Sequence, residues 1–161
     1  MERTNHIITD LHEVIRVIND CKLCHVAMFD GERPRMFTMN FGFDFVRYSF
    51  SFYFLGAHDA EGLKIIEEDV PVVFELDGNY QLLDSEDPVQ DGYLYSSIRG
   101  NGFIEPIEEP EDRLKAMNLI MQHQSGKPYT GGLEGIEGIP LYQLFVADLV
   151  AKHRVKEDCT Y

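Results

Sequence analysis

The sequence predicts a mainly β domain with flanking helices, in which an antiparallel sheet closes into a barrel. Several stretches of strand character follow one another with only turns between them, which is typical of antiparallel pairing. Closing such a sheet into a barrel removes its exposed edges. The 161 residues match one ordinary domain, and no linker, repeat or low-complexity segment divides them, so residues 1–161 are predicted to form a single domain.

The first predicted element is a helix over residues 9–20. Asp10 and Glu13 have the spacing of a capping box at its start. Apolar residues then recur at helical intervals, at Leu11, Val14, Ile15 and Ile18. One face of this helix is therefore expected to pack against the sheet.

A β-hairpin is predicted after this helix. Residues 23–29 and 35–43 have strand character, and the turn between them begins at Asp30-Gly31 and ends at Pro34. Two strands joined by so tight a turn are expected to pair antiparallel.

The middle of the chain alternates between apolar and polar segments. Residues 45–55 contain six aromatic residues and suit a long strand in the barrel wall. The pattern breaks at 56–62, and residues 63–68 are predicted to form one or two helical turns. Residues 70–76 form a short apolar strand, whereas the acidic segment 77–91 is predicted to be a long hairpin connection.

The last third is predicted to hold a strand, a helix and a final strand. Residues 93–107 form a strand that is interrupted by Gly100 and Gly102, and such glycines mark a bulge, a corner or a close backbone approach. Pro110 begins the helix and Gly126 ends it. Its apolar stripe is Leu114, Met117, Ile120 and Met121. The glycine-rich loop 127–139 leads to the last strand, 141–151.

The charge of the chain excludes several classes of partner. The formal net charge is −14, with 28 acidic and 14 basic residues. A general affinity for nucleic acid or for anionic membranes needs clustered Lys and Arg, so neither is expected. Residues 65–112 hold 14 acidic residues and only one base, Arg99. The acidic excess is interpreted as a solvated surface, and an anionic ligand must find its positive groups locally.

A cytoplasmic protein is expected from the start of the chain. Residues 1–10 lack the basic start, the apolar run and the cleavage site of a signal peptide. No stretch approaches the ~20 apolar residues that span a bilayer. Three cysteines cannot form a closed set of disulfides, which fits a reducing compartment.

The segment from Cys21 to His25 spells C-x-x-C-H, the attachment motif of c-type haem. Covalent haem attachment requires export, which is not expected here, and a redox or zinc role for the two cysteines is a further alternative. Residues 24–28 have strand character, so Cys24 and His25 are expected on opposite faces. Chance spacing is the favoured interpretation.

Three segments stand out in a chain that lacks a Walker motif, a Rossmann fingerprint and a serine-hydrolase elbow. Residues 34–42 contain Pro34 and end Asn40-Phe41-Gly42. Residues 53–64 begin Tyr53-Phe54 and end Gly62-Leu63-Lys64. Residues 95–102 are Tyr-Ser-Ser-Ile-Arg-Gly-Asn-Gly. In this order and spacing they resemble the nitroimidazole-resistance (Nim) branch of the pyridoxamine 5'-phosphate oxidase-like, FMN-binding split barrels.

The resemblance implies a six-stranded antiparallel split β-barrel and a homodimer with FMN in the grooves between the subunits. The flavin ring would lie along a strand edge that offers backbone donors and acceptors. The phosphate would need N–H groups, hydroxyls and a cation, the last of them at a loop that enters a short helix. The cofactor-binding residues implied are Phe37, Thr38, Met39, Asn40, Leu55, Gly56, Ala57, His58, Gly62, Lys64, Ser96 and Ser97.

Two positions depart from the pattern of the family. Thr38 replaces the usual proline of the first segment. The histidine of the second segment has no direct counterpart: its place falls on Leu55 or on Ala57, depending on which end of the segment is aligned. His58, beside Ala57, is the substitute candidate for a catalytic residue that steers a proton.

The function implied by the resemblance is an FMN-dependent oxidoreductase, in which a reduced nicotinamide drives the reduction of a nitroaromatic or quinone-like acceptor. The flavin carries the difficult chemistry, and the protein orients it. The alternative is a non-catalytic carrier or sensor of flavin or haem on the same barrel. Oxidation of pyridoxamine phosphate is the least favoured, because it calls for a basic phosphate pocket and Lys and Arg are scarce in the carboxyl-terminal third.

Overall fold

The computed structural model describes residues 3–56, 66, 69–84 and 91–156. Within these residues there are seven strands and two α-helices, with one 3-10 turn at Leu133–Ile136 inside the predicted loop. The helices are α1 (Leu11–Asp20) and α2 (Pro110–Ser125). The strands are β1 (Arg3–Ile8), β2 (Leu23–Phe29), β3 (Pro34–Val46), β4 (Ser49–Leu55), β5 (Val70–Leu83), β6 (Gly92–Pro106) and β7 (Leu141–Lys156).

The strands form one antiparallel sheet that closes on itself, which confirms the predicted fold class. The sheet order is β1-β7-β4-β3-β2-β5-β6, and β7 also pairs with β6. Strands β2 to β7 therefore complete a six-stranded barrel. The seventh strand, β1, pairs with the carboxyl-terminal part of β7. This strand was not predicted, because its polar sequence lacks clear alternation, and β7 itself runs five residues past the predicted end at 151.

A tight turn divides the aromatic segment that was predicted as one strand over 45–55. Strand β3 runs to Val46, and β4 begins at Ser49. Arg47 and Tyr48 connect them with φ values of 52° and 64°. Positive φ at both central residues is typical of a type I′ hairpin turn, which normally holds Asn or Gly. The turn was missed because neither residue signals it.

Strand β5 extends through the first half of the acidic segment, so the prediction of a connection over 77–91 is wrong up to residue 83. Pairing with β6 shifts in register between Gly78 and Gln81, and Asn79 has a φ of 57°. The bulge breaks the alternation that would have marked a strand. The predicted helical turns at 63–68 lie outside the described residues apart from Ile66.

Both helices begin and end where the sequence predicts to within two residues. The Glu13 N–H donates to Asp10 Oδ1 at 2.9 Å, which confirms the cap of α1. Gly126 ends α2 with a φ of 70°. Of the predicted stripe on α2, Ile120 is buried, but Met121 is 36% exposed, and Ala116 takes the buried position instead. None of the described helices is long and apolar enough to cross a membrane.

The core fills the barrel, and each helix covers part of its surface. Aromatic residues from non-adjacent strands pack edge to face inside the barrel, such as Phe52 of β4 and Phe74 of β5, whose ring centroids lie 5.2 Å apart. Helix α1 packs on β5 and β6, and α2 packs on β3 and β4. Of the bulge, corner or close approach predicted at the two glycines of β6, the structure shows a bulge, since the register with β7 shifts between Asn101 and Gly102, and a close approach, since β7 backbone atoms lie against both glycines. The outer face of β2, β5, β6 and the end of β7 carries neither helix.

Candidate functional site

The first half of β3 has a free edge. Within the described residues, positions 34–40 pair with β2 alone, because β4 pairs with β3 only from Phe41 onward. Strand β4 then turns away, and the Gly56 N–H donates to Pro140 O at 2.9 Å. Backbone donors and acceptors along 34–40 are thus left to a ligand or to residues outside the described part of the chain.

The side chains of this half-strand alternate between the core and the outside. Phe37 packs against the core and Met39 is buried within it, whereas Thr38 and Asn40 face outward. Leu55 is 39% exposed and lies next to the last β3–β4 pair, beside Asn40. The structure therefore brings the predicted residues Phe37 to Asn40, Leu55 and Gly56 to one place.

The carboxyl-terminal turn of α2 holds this edge in position. Asn40 Nδ2 donates to Gln124 Oε1 at 3.0 Å, and Gln124 Nε2 donates to Phe41 O at 2.8 Å. The preceding residue, His123, donates a hydrogen bond from Nε2 to Cys21 O at 2.8 Å. The centroid of its ring lies 4.5 Å from that of the Phe41 ring. Any displacement of α2 would therefore move Asn40 and the free edge with it.

We expect the free energy of unfolding to fall in mild acid, because His123 is half-buried as the neutral imidazole. Burial lowers the pKa of His123, so the unfolded chain binds this proton more readily than the folded protein. The stabilisation from His123 is complete above about pH 6.5, which is the pKa of histidine in the unfolded chain. It is lost as the pH falls toward the lower pKa that His123 has in the folded protein. One such proton changes the free energy of unfolding by at most about 1.4 kcal/mol per pH unit.

The measurement is urea unfolding at pH 7.5 and pH 5 for the wild type and for His123→Gln, which keeps a side-chain N–H donor but does not titrate. The wild type should lose more free energy of unfolding than the variant. His12→Gln changes an exposed histidine and should behave as the wild type. Equal losses in the wild type and His123→Gln would contradict the assignment.

A groove of about 990 Å³ runs across the uncovered face of the sheet. It is lined by residues of five strands, which are Met36 of β3; His25 and Ala27 of β2; Val73, Phe74, Glu75 and Asp77 of β5; Tyr95, Ser97, Arg99, Gly100 and Asn101 of β6; and Asp148, Val150, Lys152 and Arg154 of β7. Thr38 is the register partner of His25, so the free edge of β3 borders this groove. The two features form one continuous surface.

The middle of the groove is a set of paired charges. Arg99 Nε donates to Glu75 Oε1 at 2.8 Å, and Glu75 is the register partner of His25. His25 Nδ1 lies 3.7 Å from Asp77 Oδ1. Glu75 and Asp77 thus each have a cationic or titratable neighbour, which reduces the repulsion between these carboxylates and an anionic ligand.

The β7 end of the groove carries two cations without a carboxylate partner among the described residues. Lys152 and Arg154 lie on the same face, because side chains two apart along a strand point the same way. Their register partners on β6 are Ser97 and Tyr95. The Arg154 guanidinium lies 5.9 Å from the centroid of the Tyr95 ring.

The two predicted serines lie on opposite faces of β6. Both are buried, but Ser97, 6% exposed, lines the groove, whereas Ser96, 3% exposed, lies beneath α1. Ser96 Oγ lies 2.8 Å from His153 Nδ1, and His153 Nε2 lies 3.0 Å from Glu13 Oε1. This chain of contacts joins α1 to β6 and β7. Ser96 is therefore separated from the surface that holds the other described candidates.

The cysteine motif does not form one site. Cys21 and Cys24 are buried, and His25 faces the groove from the opposite side of β2. Burial raises the pKa of Cys21 to about 11 and also raises the pKa of Cys24, so both thiols are protonated at neutral pH. Among the residues that the structure describes, no cluster of three or more His, Cys, Asp or Glu is placed to hold a metal ion.

Four of the predicted site residues, Ala57, His58, Gly62 and Lys64, lie outside the described residues, so their roles stay predictions. Sequence reasoning missed three groove residues: His25, Lys152 and Arg154. Alternation along β2 was a usable signal for His25, since it places this side chain opposite the buried Cys24. Lys152 and Arg154 lie beyond residue 151, where the last strand was predicted to end, so the sequence did not indicate that their side chains share a face of β7.

Comparisons with known proteins agree with this architecture. A model of the pyridoxamine 5'-phosphate oxidase family matches residues 10–138. A protein from Bacteroides thetaiotaomicron, described as a 5-nitroimidazole antibiotic resistance protein, gives a TM-score of 0.75 at 18% identity and covers 98% of this chain and 93% of that one. A comparison with curated proteins found no match.

Two further solved structures share the fold. An FAD- and haem-binding protein from Mycobacterium smegmatis gives a TM-score of 0.72 at 12% identity, covering 99% of this chain and 77% of that one. A flavocytochrome from Azotobacter vinelandii gives a TM-score of 0.69 at 15% identity, covering 95% of this chain and 72% of that one. At such identities the likeness establishes the fold alone.

Proposed function

The chain belongs to the pyridoxamine 5'-phosphate oxidase family, whose model matches residues 10–138, and from this premise we propose that it binds FMN and acts as an oxidoreductase. The observation that carries the proposal is the free edge of β3, which opens onto the groove. A flavin ring needs backbone donors and acceptors of this kind along its polar edge.

The residues present fit the cofactor. The backbone of 37–40 offers donors and acceptors on its free edge to the polar rim of a flavin ring, and Thr38 and Asn40 face the same side. Ser97 offers a hydroxyl on the groove, and Lys64 stays the predicted cation for the phosphate. Ser96 is engaged with His153 and is left out of the proposed contacts.

We propose that a reduced nicotinamide is the electron donor and that a nitroaromatic or quinone-like compound is the acceptor. The bound flavin would supply the chemistry, taking a hydride from the nicotinamide and passing two electrons to the acceptor. The chain orients the ring, excludes water and provides a group for proton transfer. His58 stays the predicted catalytic residue, and His25, beside Asp77 on the groove, is a second candidate that the structure adds.

The assembly that we propose is a homodimer that closes over the groove. Three apolar side chains that line the groove are exposed: Met36 is 71% exposed, Val73 57% and Val150 41%. An apolar surface of this kind on a small domain favours association. A second copy of the chain would bury it and shield the flavin from solvent. Reduced nicotinamides and buried free thiols both suit the cytoplasm, which is the proposed location.

The second candidate is a carrier or sensor that binds flavin or haem without turnover. The M. smegmatis protein with a TM-score of 0.72 is an FAD- and haem-binding protein, and the A. vinelandii protein is a flavocytochrome. Proteins with this fold are thus named for haem as well as for flavin. This candidate predicts saturable cofactor binding without oxidation of a reduced nicotinamide.

The experiment is a visible spectrum of the purified protein, followed by titration of FMN into the apoprotein. We expect saturable quenching of flavin fluorescence, and then FMN-dependent oxidation of a reduced nicotinamide with a nitroaromatic or a quinone. Thr38→Trp, which fills the edge beside His25, should weaken FMN binding at least tenfold, whereas Ser49→Trp, at the exposed hairpin, should not. Absence of flavin binding would overturn the proposal, and a haem Soret band without flavin would favour the second candidate.

A further inference from the structure

We propose that Lys152 and Arg154 form a phosphate-binding subsite at the β7 end of the groove, completed by Ser97 and Tyr95 of β6. The inference rests on the proposed function for the identity of the ligand, which is a phosphorylated nucleotide. Its anion-binding capacity, however, follows from the groove itself. Lys64 lies outside the described residues and forms no part of this proposal.

The geometry directs four polar groups into one end of the groove. Lys152 pairs in register with Ser97, and Arg154 pairs with Tyr95, so each cation has a hydroxyl-bearing neighbour on the next strand. Directly opposed side chains in an antiparallel pair have Cβ atoms about 5 Å apart. A phosphate has oxygens for each of them, and Lys, Arg and hydroxyl groups are its usual partners.

Among the described Lys and Arg residues that line the groove, Arg99 is paired with Glu75, whereas Lys152 and Arg154 have no carboxylate partner. Against a net charge of −14, four of the described cations are engaged by carboxylates, and two more donate to backbone carbonyls. The ion pairs are Arg16–Glu13, Arg35–Asp30, Arg99–Glu75 and Lys115–Asp44, and the carbonyl-bound cations are Lys22 and Arg113. Lys152 and Arg154 face the groove without such a carboxylate partner within the described residues.

Two adjacent like charges on one strand repel each other unless an anion lies between them. Three carboxylates also face the groove. Glu75 is held by Arg99, and Asp77 lies near His25 and accepts a hydrogen bond from Tyr80. Asp148 is four residues from Lys152 along β7, so a strand rise of about 3.4 Å per residue places it about 14 Å away. The β7 end is therefore the positive end of the groove.

The position of the subsite indicates what it binds. Four inter-strand spacings of about 4.8 Å separate the free edge of β3 from β7, or about 19 Å along the sheet. A ring on the β3 edge and a phosphate at Lys152 therefore lie at opposite ends of one ligand, or belong to two ligands in the same groove. The phosphate comes from the flavin in the first case and from the reduced nicotinamide in the second.

The test compares Lys152→Gln/Arg154→Gln with Arg47→Gln/Lys127→Gln, which removes the same charge from a hairpin turn and from the loop after α2. The probe for the subsite is inorganic pyrophosphate, measured by isothermal titration calorimetry. We expect binding to the wild type and to the control, and binding at least tenfold weaker in Lys152→Gln/Arg154→Gln. The single variants are used if the double variant does not fold.

The source of the phosphate is then separated by titrating riboflavin, FMN and FAD, which share the ring and differ in phosphate content. If the flavin supplies the phosphate, Lys152→Gln/Arg154→Gln binds FMN or FAD at least tenfold more weakly than the wild type, and its affinity for riboflavin is unchanged. If the nicotinamide supplies it, flavin affinities stay the same and the half-saturating nicotinamide concentration rises at least tenfold.

The proposal is overturned if pyrophosphate fails to bind the wild type, or binds the two double variants equally. It fails separately from the proposed function. Pyrophosphate binding that depends on Lys152 and Arg154, in a protein that takes up no flavin, would support the subsite and remove the flavin assignment. Flavin binding that does not depend on Lys152 or Arg154, in a protein that binds no pyrophosphate, would support the flavin assignment and overturn the subsite.

Discussion

Gly42→Ala is expected to lower the free energy of unfolding by about 3 kcal/mol, toward the upper end of what overpacking costs. A Cβ at this position would lie 2.4 Å from Ile120 N and from Leu119 C, and 2.6 Å from Leu119 O. These are backbone atoms of α2, so no side chain can rotate to relieve the contact. The helix would have to move away from β3, with loss of the packing around Ile120.

The measurement is urea unfolding followed by circular dichroism. Gly78→Ala is the matched control, since its Cβ meets only the Cys21 sulfur at 3.3 Å, and it should cost less than about 1 kcal/mol. Because α2 holds Asn40 through Gln124, Gly42→Ala should also weaken flavin binding if the proposed function is right. A stability equal to that of Gly78→Ala would show that α2 does not lie against Gly42.

Arg113→Met is expected to destabilise the protein by a similar amount, about 3 kcal/mol. The Arg113 guanidinium donates to three carbonyls: Ile107 O at 2.9 Å, Ile136 O at 2.9 Å and Ile139 O at 2.8 Å. It thereby joins the end of β6 to the loop before β7. Hydrogen bonds from a charged donor contribute about 1.5–3 kcal/mol each and are not additive, and a methionine leaves all three carbonyls without this donor.

Denaturant unfolding measures this change, with Arg16→Met as the control. The Arg16 side chain is 69% exposed, and its one ion pair among the described residues is with Glu13 at 3.4 Å, so its loss should cost less than about 1 kcal/mol. Arg113→Lys keeps the charge but cannot present the planar fork to three acceptors, and it should fall between the two. If Arg113→Met were as stable as Arg16→Met, the guanidinium would not be what holds this loop.

The elements that the sequence predicts well are those with strong local signals. Asp10 and Glu13 mark the start of α1, and Pro110 and Gly126 bound α2, because capping chemistry depends on the nearest few residues. Gly102 marks the bulge in β6 for the same reason, since its backbone lies against β7. The elements that were missed have weak local signals: the Arg47-Tyr48 turn, strand β1 and the second half of β5.

The candidate site shows the same division. The motif residues on β3 and β6 were found from the sequence. The face of the strand on which each side chain lies was not, and Ser96 and Ser97 lie on opposite faces of β6. A shift of one residue in register exchanges the two faces of a strand, and register depends on the bulges and on the partner strands.

The sequence by itself determined the fold class, the two helices, the family and the acidic charge that leaves few cations for an anionic ligand. Only the tertiary structure decided which side chains share a surface. His25, Ser97, Lys152 and Arg154 are up to 129 positions apart, and barrel closure through β7 brings them onto one groove. That juxtaposition depends on long-range strand pairing, which local propensity and spacing do not encode.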